Sequence, residues 1–421
     1  MKILSLTAGA ANMYCGSCLR DNTLARELIR MGHDVTLMPV YTPTRTDEEN
    51  QSAGHKVLFG GISVYLQQKM PLFRHTPWLL DKIWDSRWAL KAAARGSLAV
   101  DPQFLGEMTV SMLEGMQGPL VKEYLKLLDW LMAQPRPEVI QLPNTLLLAM
   151  APAIKRVYDG PVCCTLSGED LFLEGLTEPY RSRALHLIRQ RQDSVDAFVS
   201  VSVAYADAMS AYLGIPRAKI HIVPLGIETH EFRRAERKGD PWTLGYLARI
   251  APEKGLHLLA EAWRLFRSKH DAPARLVAAG YVAPEHRDYL AAQEVEYVGE
   301  LDLAGKIDFL AGLDAFCVPP VYEDPKGIYV LEAMAAGLPV VAPRRGALSE
   351  HIEATGGGIL TPPDDKEALA AAFKLLATDR AHAGRLASAA LEGVGRHYTV
   401  RAMAERTVEL YQSLYVHATL S

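Results

Sequence analysis

The sequence predicts an α/β protein of two Rossmann-like domains, whose parallel sheets face a cleft. Three observations support this prediction. The chain has 421 residues, and at about 100–200 residues per domain this length favours two or three domains. It opens with a strand, a helix and a second strand, and the same alternation begins again near residue 242. Hydrophobic residues make up 49% of the chain and charged residues 22%, so it can fill two cores and is not disordered.

The first half alternates short apolar runs with helical patterns. Residues 2–7 and 35–40 are predicted strands, and between them residues 19–31 carry apolar side chains at helical spacing. Gly32 follows this pattern, where glycine ends a helix without steric cost. Further strands and helices are predicted over 139–142, 146–158, 162–166, 181–193 and 197–201.

A charged, apolar-poor run over 233–240 resembles a linker. We therefore expect one domain over 1–225 and a second over 226–399. Ligands of such sheets bind at the carboxyl ends of the strands. The second half is predicted to contain strands over 243–248, 275–279, 295–298, 315–318 and 339–342. Helices are predicted over 285–292, 303–313, 367–377 and 401–415. One further helix is predicted to begin at 255, and another to end near 337.

Charge and apolar runs exclude several classes of protein. Forty-five Lys and Arg against 49 Asp and Glu give a net charge of −4, which argues against a dedicated nucleic-acid binder. No apolar run reaches the roughly 20 residues that cross a bilayer, and the first residues do not resemble a signal peptide. The five cysteines include the adjacent pair Cys163 and Cys164, so a disulfide framework is not expected and a cytoplasmic location is.

Residues 65–96 form a cationic, Trp-rich stretch with a helical pattern. One interpretation is a helical insertion packed on the first domain. The other is a face for a membrane surface or an acceptor, which would place the protein peripherally at the inner membrane face. Trp78, Trp84 and Trp88 would form that face.

Cys15 and Cys18 form a CxxC pair at the start of the first predicted helix. Such a pair can be redox-active, because a helix N-terminus lowers the pKa of a thiol. Incidental packing and metal binding are the alternatives, although no second Cys pair or His cluster has zinc spacing.

Two cations follow the first predicted strand of the second half. Arg249 and Lys254 stand five residues apart in the loop that leads to a helix near Gly255. An Arg fork and a Lys point charge together suit a diphosphate. The alternative is a solvated turn that carries surface charges.

An acidic loop leads from the strand at 315–318 into the next helix. The amides at the start of that helix can hold an anion, Gly327 permits close backbone approach, and Glu332 can accept from the two hydroxyls of a ribose. Asp324, before Pro325, could instead be a helix N-cap followed by a proline at the first helical position. Glu332 could equally lie on an exposed helix face.

These two stretches resemble the donor site of the retaining glycosyltransferases of family 4, which adopt the GT-B fold. Further segments resemble the same family, and they lie at 161–170, 223–228, 297–300, 339–342 and 346–350. The resemblance covers most of the chain. It implies that the last helix, 400–421, crosses back to the first domain, and that no metal or cofactor is needed. It also implies catalytic roles for Arg249, Lys254 and Asp324, and donor binding by Arg249, Lys254, Glu323, Asp324, Lys326, Gly327, Ile328, Tyr329 and Glu332.

Three departures from the family pattern affect donor and acceptor binding. Asp324, Pro325 and Lys326 stand where the family usually has Glu, Gly and Phe. Ser167 replaces a common His, and the usual Gly pair after the first strand is reduced to Gly16. Gly16, Ser167 and Asp170 are the candidate acceptor-side residues.

The resemblance implies a retaining, metal-independent hexosyltransferase that moves a sugar from a nucleotide-diphosphate sugar, with UDP favoured, to an unidentified acceptor. Two alternatives stay open. A sugar-nucleotide epimerase could share this architecture, and the altered acidic loop is compatible with a non-catalytic protein that binds nucleotide sugars.

Overall fold

The chain forms two compact units, which we describe separately. The first comprises residues 1–201, 206–223 and 404–421, and the second 202–205 and 224–403. The structure is a computed structural model and describes residues 1–8, 16–41, 49–52, 57, 59, 102–233, 241–293 and 295–420.

The first unit contains a six-stranded sheet in which all neighbouring strands are parallel, in the order β2-β1-β3-β4-β5-β6. Three of its four interior strands, β3, β4 and β5, are buried at every residue, as expected for a parallel sheet covered on both faces. The strands are β1 (Lys2–Thr7), β2 (Asp34–Pro39), β3 (Val139–Leu142), β4 (Val162–Thr165), β5 (Ala197–Ser200) and β6 (Ile220–Ile222).

Helices connect these strands, and the last helix of the chain joins them. The Tyr411 hydroxyl lies 2.9 Å from Oε1 of Gln141 on β3, and residues 404–421 belong to this unit. The helices are α1 (Gly16–Arg30), α2 (Pro102–Glu114), α3 (Val121–Met132), α4 (Met150–Ile154), α5 (Glu169–Glu174), α6 (Tyr180–Arg191), most of α7 (Val203–Leu213) and the greater part of α15 (Val400–Leu420).

The second unit repeats the plan with six parallel strands in the order β12-β11-β10-β7-β8-β9. The chain runs from β7 outward to β9 and then continues at β10, on the other side of β7. The reversal of strand order therefore lies between β7 and β10. The strands are β7 (Trp242–Leu247), β8 (Ala274–Ala279), β9 (Glu296–Tyr297), β10 (Ala315–Cys317), β11 (Val340–Pro343) and β12 (Gly358–Thr361).

Helices α8 to α14 belong to the second unit, and their apolar faces enclose one core with the sheet. Leu256, Leu259 and Phe266 of α8 contribute, as do Val330 and Leu331 of α11. The helices are α8 (Leu256–Arg267), α9 (Arg287–Ala291), α10 (Leu303–Ala311), α11 (Ile328–Ala335), α12 (Gly346–Thr355), α13 (Lys366–Thr378) and α14 (Arg380–His397).

Two six-stranded parallel sheets confirm the predicted fold class of Rossmann-like domains. The predicted helix over 146–158 is wrong in extent: a 3-10 turn, Thr145–Leu147, precedes the five-residue α4. Six described helices were not predicted: α2, α3, α5, α7, α12 and α14. In the part of the chain that the structure describes, no helix is both long and apolar enough to span a bilayer. Cys15, Trp78, Trp84 and Trp88 lie outside the described residues.

Candidate functional site

The predicted donor residues cluster in the second unit, at the carboxyl ends of β7 and β10. These strands are neighbours, with Ala315 paired to Leu244 and Phe316 to Gly245. Because the strand order reverses between them, their following loops flank the position where open α/β sheets bind ligands. The loop after β7 carries Arg249 and Lys254, and we call residues 319–327, after β10, the acidic loop.

The two loops pack backbone against backbone at Gly255. The Val321 amide donates to the Glu253 carbonyl at 2.9 Å. Gly255 has φ of +73°, and a Cβ at this position would overlap the carbonyl oxygen of Pro319. Only glycine satisfies both conditions without strain. The close approach brings the Lys254 side chain within reach of the acidic loop.

Lys254 and Asp324 form a buried ion pair, with 2.6 Å between Nζ and Oδ2. Only 14% of the Lys254 side chain and 4% of the Asp324 side chain are exposed. The Tyr322 hydroxyl lies 2.7 Å from the same Nζ, and the Tyr329 hydroxyl donates to Asp324 Oδ2 at 2.8 Å. The ammonium also lies 4.9 and 5.2 Å from the centres of the Tyr322 and Tyr329 rings, within cation–π range.

The Asp324 carboxylate accepts four hydrogen bonds in all. Besides Lys254 and Tyr329, the backbone amides of Lys326 and Gly327 each donate to Oδ1 at 3.1 Å. Burial alone would raise the pKa of Asp324, but the Lys254 ammonium and these amides outweigh it and lower the pKa to about 2. The group is therefore a stably charged carboxylate.

The N-cap interpretation of Asp324 is wrong in its details. Helix α11 begins at Ile328, and its N-cap is Gly327, which has φ of +52° and provides no side chain. Asp324 instead closes a turn over the residues before the helix. The Ile328 and Tyr329 amides lie in the first helical turn, where the helix itself provides no acceptor.

Arg249 and Glu332 lie at the edges of the group formed by Lys254, Asp324 and the two tyrosines. Arg249 pairs with Glu253, and about half of its side chain is exposed. Glu332, on α11, accepts from Lys306 Nζ of α10 at 2.7 Å, and 14% of its side chain is exposed. The structure thus gives the carboxylate predicted to bind ribose a lysine neighbour.

Glu323 has a partner of its own. Its Oε2 accepts from the Gly346 amide at 2.5 Å, at the start of α12, and its Oε1 lies 3.8 Å from Nε of Arg345. Arg345 in turn forms a bidentate pair with Asp364, at 2.8 and 2.6 Å. These contacts join the acidic loop to the loops after β11 and β12.

The candidate acceptor-side residues lie in the first unit. Gly16 is the first residue of α1 and Asp170 lies in the first turn of α5. The Ser167 amide donates to Glu169 at 2.6 Å, and Glu169 also accepts from the amide and hydroxyl of Thr145. This buried carboxylate therefore joins the loops after β3 and β4. An acceptor-side role for these residues stays a prediction.

Cysteine and metal chemistry find little support among the described residues. Cys18, Cys163, Cys164 and Cys317 are buried, and burial raises the pKa of the last three. Within the described ranges, no three His, Cys, Asp or Glu residues lie close enough to hold a metal ion. Metal independence itself stays a prediction.

Four residues at the site were not singled out from the sequence. Tyr322 precedes the acidic pair directly, so its position in the loop was a usable signal. Lys306, Arg345 and His351 lie on other elements and belong to no motif. Only the fold brings them to the acidic loop and to Glu332.

Comparison with known proteins covers both units. Residues 22–226 match the family described as glycosyl transferase 4-like domain, and residues 228–392 match glycosyl transferases group 1. The glycogen synthase of Mycobacterium tuberculosis is 27% identical over 287 residues, which cover 66% of this chain and 69% of that protein. The chain belongs to the GT-B glycosyltransferases.

Further relatives of this GT-B glycosyltransferase differ in the activities for which they are named. The MMP alpha-(1->4)-mannosyltransferase of Mycolicibacterium hassiacum is 26% identical over 227 residues, covering 52% of this chain and 54% of that one. Sucrose-phosphate synthase from Thermosynechococcus elongatus has a TM-score of 0.66 at 17% identity, over 99% of both chains. Anabaena HepE in complex with UDP has a TM-score of 0.67 at 18% identity, over 98% of this chain and 100% of that one. These structures establish the fold.

Proposed function

We propose that the chain transfers a sugar from a nucleotide-diphosphate sugar to an acceptor hydroxyl, with retention of configuration and without a metal ion. The observation that carries this proposal is the Lys254 ammonium, which contacts Asp324 and the Tyr322 hydroxyl and lies over the rings of Tyr322 and of Tyr329 at the start of α11. Cationic and amide donors of this kind stabilise a departing diphosphate.

The donor diphosphate would lie between the loop after β7 and the start of α11. Arg249, exposed at the rim, would contribute a bidentate fork, and Lys254 a point charge. The Ile328 and Tyr329 amides would add neutral donors. As the bond between the sugar and the phosphate breaks, negative charge grows on the diphosphate, so these groups bind the transition state more strongly than the ground state.

The same geometry favours a mechanism without a protein nucleophile. Four donors already occupy the Asp324 carboxylate, and its pKa of about 2 makes it a weak nucleophile. The acceptor oxygen would bond to the anomeric carbon on the face that the diphosphate leaves. Its proton would pass to the departing phosphate oxygen, so retention needs no covalent enzyme intermediate.

UDP is the first nucleotide to test. Anabaena HepE binds UDP and UDP-glucose, and the catalytic domain of Arabidopsis starch synthase IV binds ADP. Glu332 would accept from the ribose hydroxyls whichever base the donor carries. The acceptor is proposed to be a hydroxyl compound.

The first prediction concerns the two cations. Arg249→Ala and Lys254→Ala should each lower kcat about 10²–10³-fold, as the loss of one donor at a developing oxyanion does. Turnover is measured as UDP release from UDP-glucose across an acceptor panel, with and without EDTA. Arg275→Ala is the matched control, because Arg275 forms an exposed pair with Glu296 on a neighbouring strand, and it should match the wild type.

Three outcomes would contradict parts of this proposal. Near-wild-type turnover by both site variants would end the assignment of the two cations, and loss of activity in EDTA would end metal independence. A β-configured product, detected by proton NMR, would contradict retention. Formation of a new UDP-sugar without any acceptor would instead indicate the epimerase.

A further inference from the structure

His351 is a buried polar residue behind the acidic loop that the proposed chemistry does not use. It lies on α12 with 2% of its surface exposed. Its Nε2 is 2.9 Å from the Lys326 carbonyl oxygen. Because a carbonyl oxygen can only accept, Nε2 carries the proton and donates it. Nδ1 has no hydrogen-bond partner among the described residues.

One peptide unit of the acidic loop is held at both of its polar ends. The Lys326 carbonyl and the Gly327 N–H belong to the same planar peptide group. His351 donates to the carbonyl, and the N–H donates to Asp324 Oδ1 at 3.1 Å. A rotation of this peptide would therefore break two hydrogen bonds at once.

The orientation of this peptide determines where α11 begins. Gly327 is the N-cap and has φ of +52°. A Cβ at this residue would lie 2.9 Å from Leu348 Cδ1 and 3.2 Å from His351 Cδ2, so the α12 side chains pack directly on its backbone. The Ile328 and Tyr329 amides follow immediately, and their directions depend on the peptide before them.

Packing alone does not account for a histidine here. A buried Nδ1 without a partner costs stability that an apolar side chain of similar size would not. The ring also packs edge to face with Tyr398, with 4.9 Å between the ring centres, a contact that an aliphatic residue could replace. The donor at Nε2 is the feature that only a polar side chain supplies.

We propose that His351 is a positioning residue, whose Nε2–H fixes the Lys326–Gly327 peptide so that the first amides of α11 are aligned for the donor diphosphate. This inference rests on the proposed function and adds a residue that does not contact the donor. Burial lowers the pKa of His351 to about 4, so the ring is neutral near pH 7.

The test compares two ligands that differ in their phosphates. Dissociation constants for UDP, and for uridine by ligand-observed NMR, are measured for the wild type, His351→Leu and His351→Gln. Loss of the Nε2 hydrogen bond should weaken UDP binding by His351→Leu about tenfold, the upper range for one such bond, and leave uridine binding unchanged. Glutamine can place an amide N–H near the position of Nε2, so His351→Gln should recover most of the UDP affinity.

The other possible results of these binding measurements would contradict the proposal. Equal losses for UDP and uridine, or no loss for either, would overturn the positioning role, and so would His351→Gln behaving like His351→Leu. If His351→Leu does not fold, His351→Asn replaces it, because its shorter amide cannot reach the Lys326 carbonyl. Equal UDP affinity of the Asn and Gln variants would then reject the inference. A wild-type chain that binds none of UDP, ADP and GDP would contradict the proposed function itself.

Discussion

At the scale of residues, the sequence identifies candidate site residues but not what their side chains contact. Lys254 and Asp324 could be predicted as site residues because each follows a predicted strand. Their ion pair could not, since 70 residues separate them and only the pairing of β7 with β10 brings them together. The other three hydrogen bonds on Asp324 are local, since they come from residues two, three and five positions later in the chain.

Lys306 is the clearest residue that sequence reasoning missed. It lies on α10, 26 residues before Glu332, in no motif. Its ammonium occupies Oε1 of Glu332 and leaves Oε2 for a ligand. If Glu332 binds ribose, Lys306 keeps that carboxylate oriented.

We therefore predict that Lys306→Met raises the KM for the donor about 3–10-fold and leaves kcat unchanged, because one partly exposed pair is worth about 0.5–1.5 kcal/mol. The effect should vanish with a 2′,3′-dideoxy donor, which has no hydroxyl for Glu332. Lys366→Met removes a comparable 2.8 Å pair with Glu261 and should change neither constant. An equal KM increase for both donors would show that Lys306 acts elsewhere.

At the scale of elements, periodicity predicts strands better than helices. Ten of the twelve described strands lie within about two residues of their predicted bounds, because continuous apolar runs mark buried strands; no bounds were predicted for β6 and β12. Helix α14 was missed because its buried face consists largely of Ala383, Ala387, Ala390 and Gly393, which give no strong apolar period. Gly393 lets this helix approach Thr355 of α12 closely, a tertiary contact that no local pattern reveals.

The connection between β7 and α8 yields a prediction about stability. Gly255→Ala should lower the free energy of unfolding of the second unit by about 3–5 kcal/mol, since it combines backbone strain with a clash against the Pro319 carbonyl. Gly395→Ala is the control, and we expect it to have the opposite effect on stability. Gly395 lies exposed in α14 with no atom near the added Cβ, so it should gain about 0.5–1 kcal/mol. Denaturant titration measures both; similar midpoints for the two variants would refute the close approach of the loops.

At the scale of the whole molecule, alternation of strands and helices is sufficient to predict two doubly covered parallel sheets. It does not determine strand order. The strand order makes β7 and β10 neighbours, and the loops that follow these two strands form the candidate site. That strand order brings the buried charges of the second unit together. Because these groups are buried, the stability of the second unit depends on pH. His351 and Asp324 both have pKa values below those of the unfolded chain.

These two shifts predict two separate windows of acid destabilisation. His351 has a pKa of about 4 when folded against 6.5 when unfolded, so the unfolded chain takes up the proton first. Its contribution is complete above pH 6.5 and is lost as the pH falls to 4, at a cost of about 3 kcal/mol. Asp324, with a pKa of about 2 against 3.8, loses its contribution of about 2–3 kcal/mol only between pH 4 and 2.

Two variants assign these windows, with the free energy of unfolding measured at half-unit pH steps. His351→Gln should lower the slope between pH 6.5 and 4 by the contribution of one proton and leave the lower window intact. Asp324→Asn should remove the lower window, and it should also be less stable at pH 7, because it leaves the Lys254 ammonium without its counter-charge. His33 and His221, whose pKa values burial also lowers, remain in both variants, so a difference from the wild type reports the substituted residue alone. A His351→Gln profile parallel to that of the wild type above pH 4 would mean that folding does not lower the pKa of His351, and the upper window would then not belong to this residue.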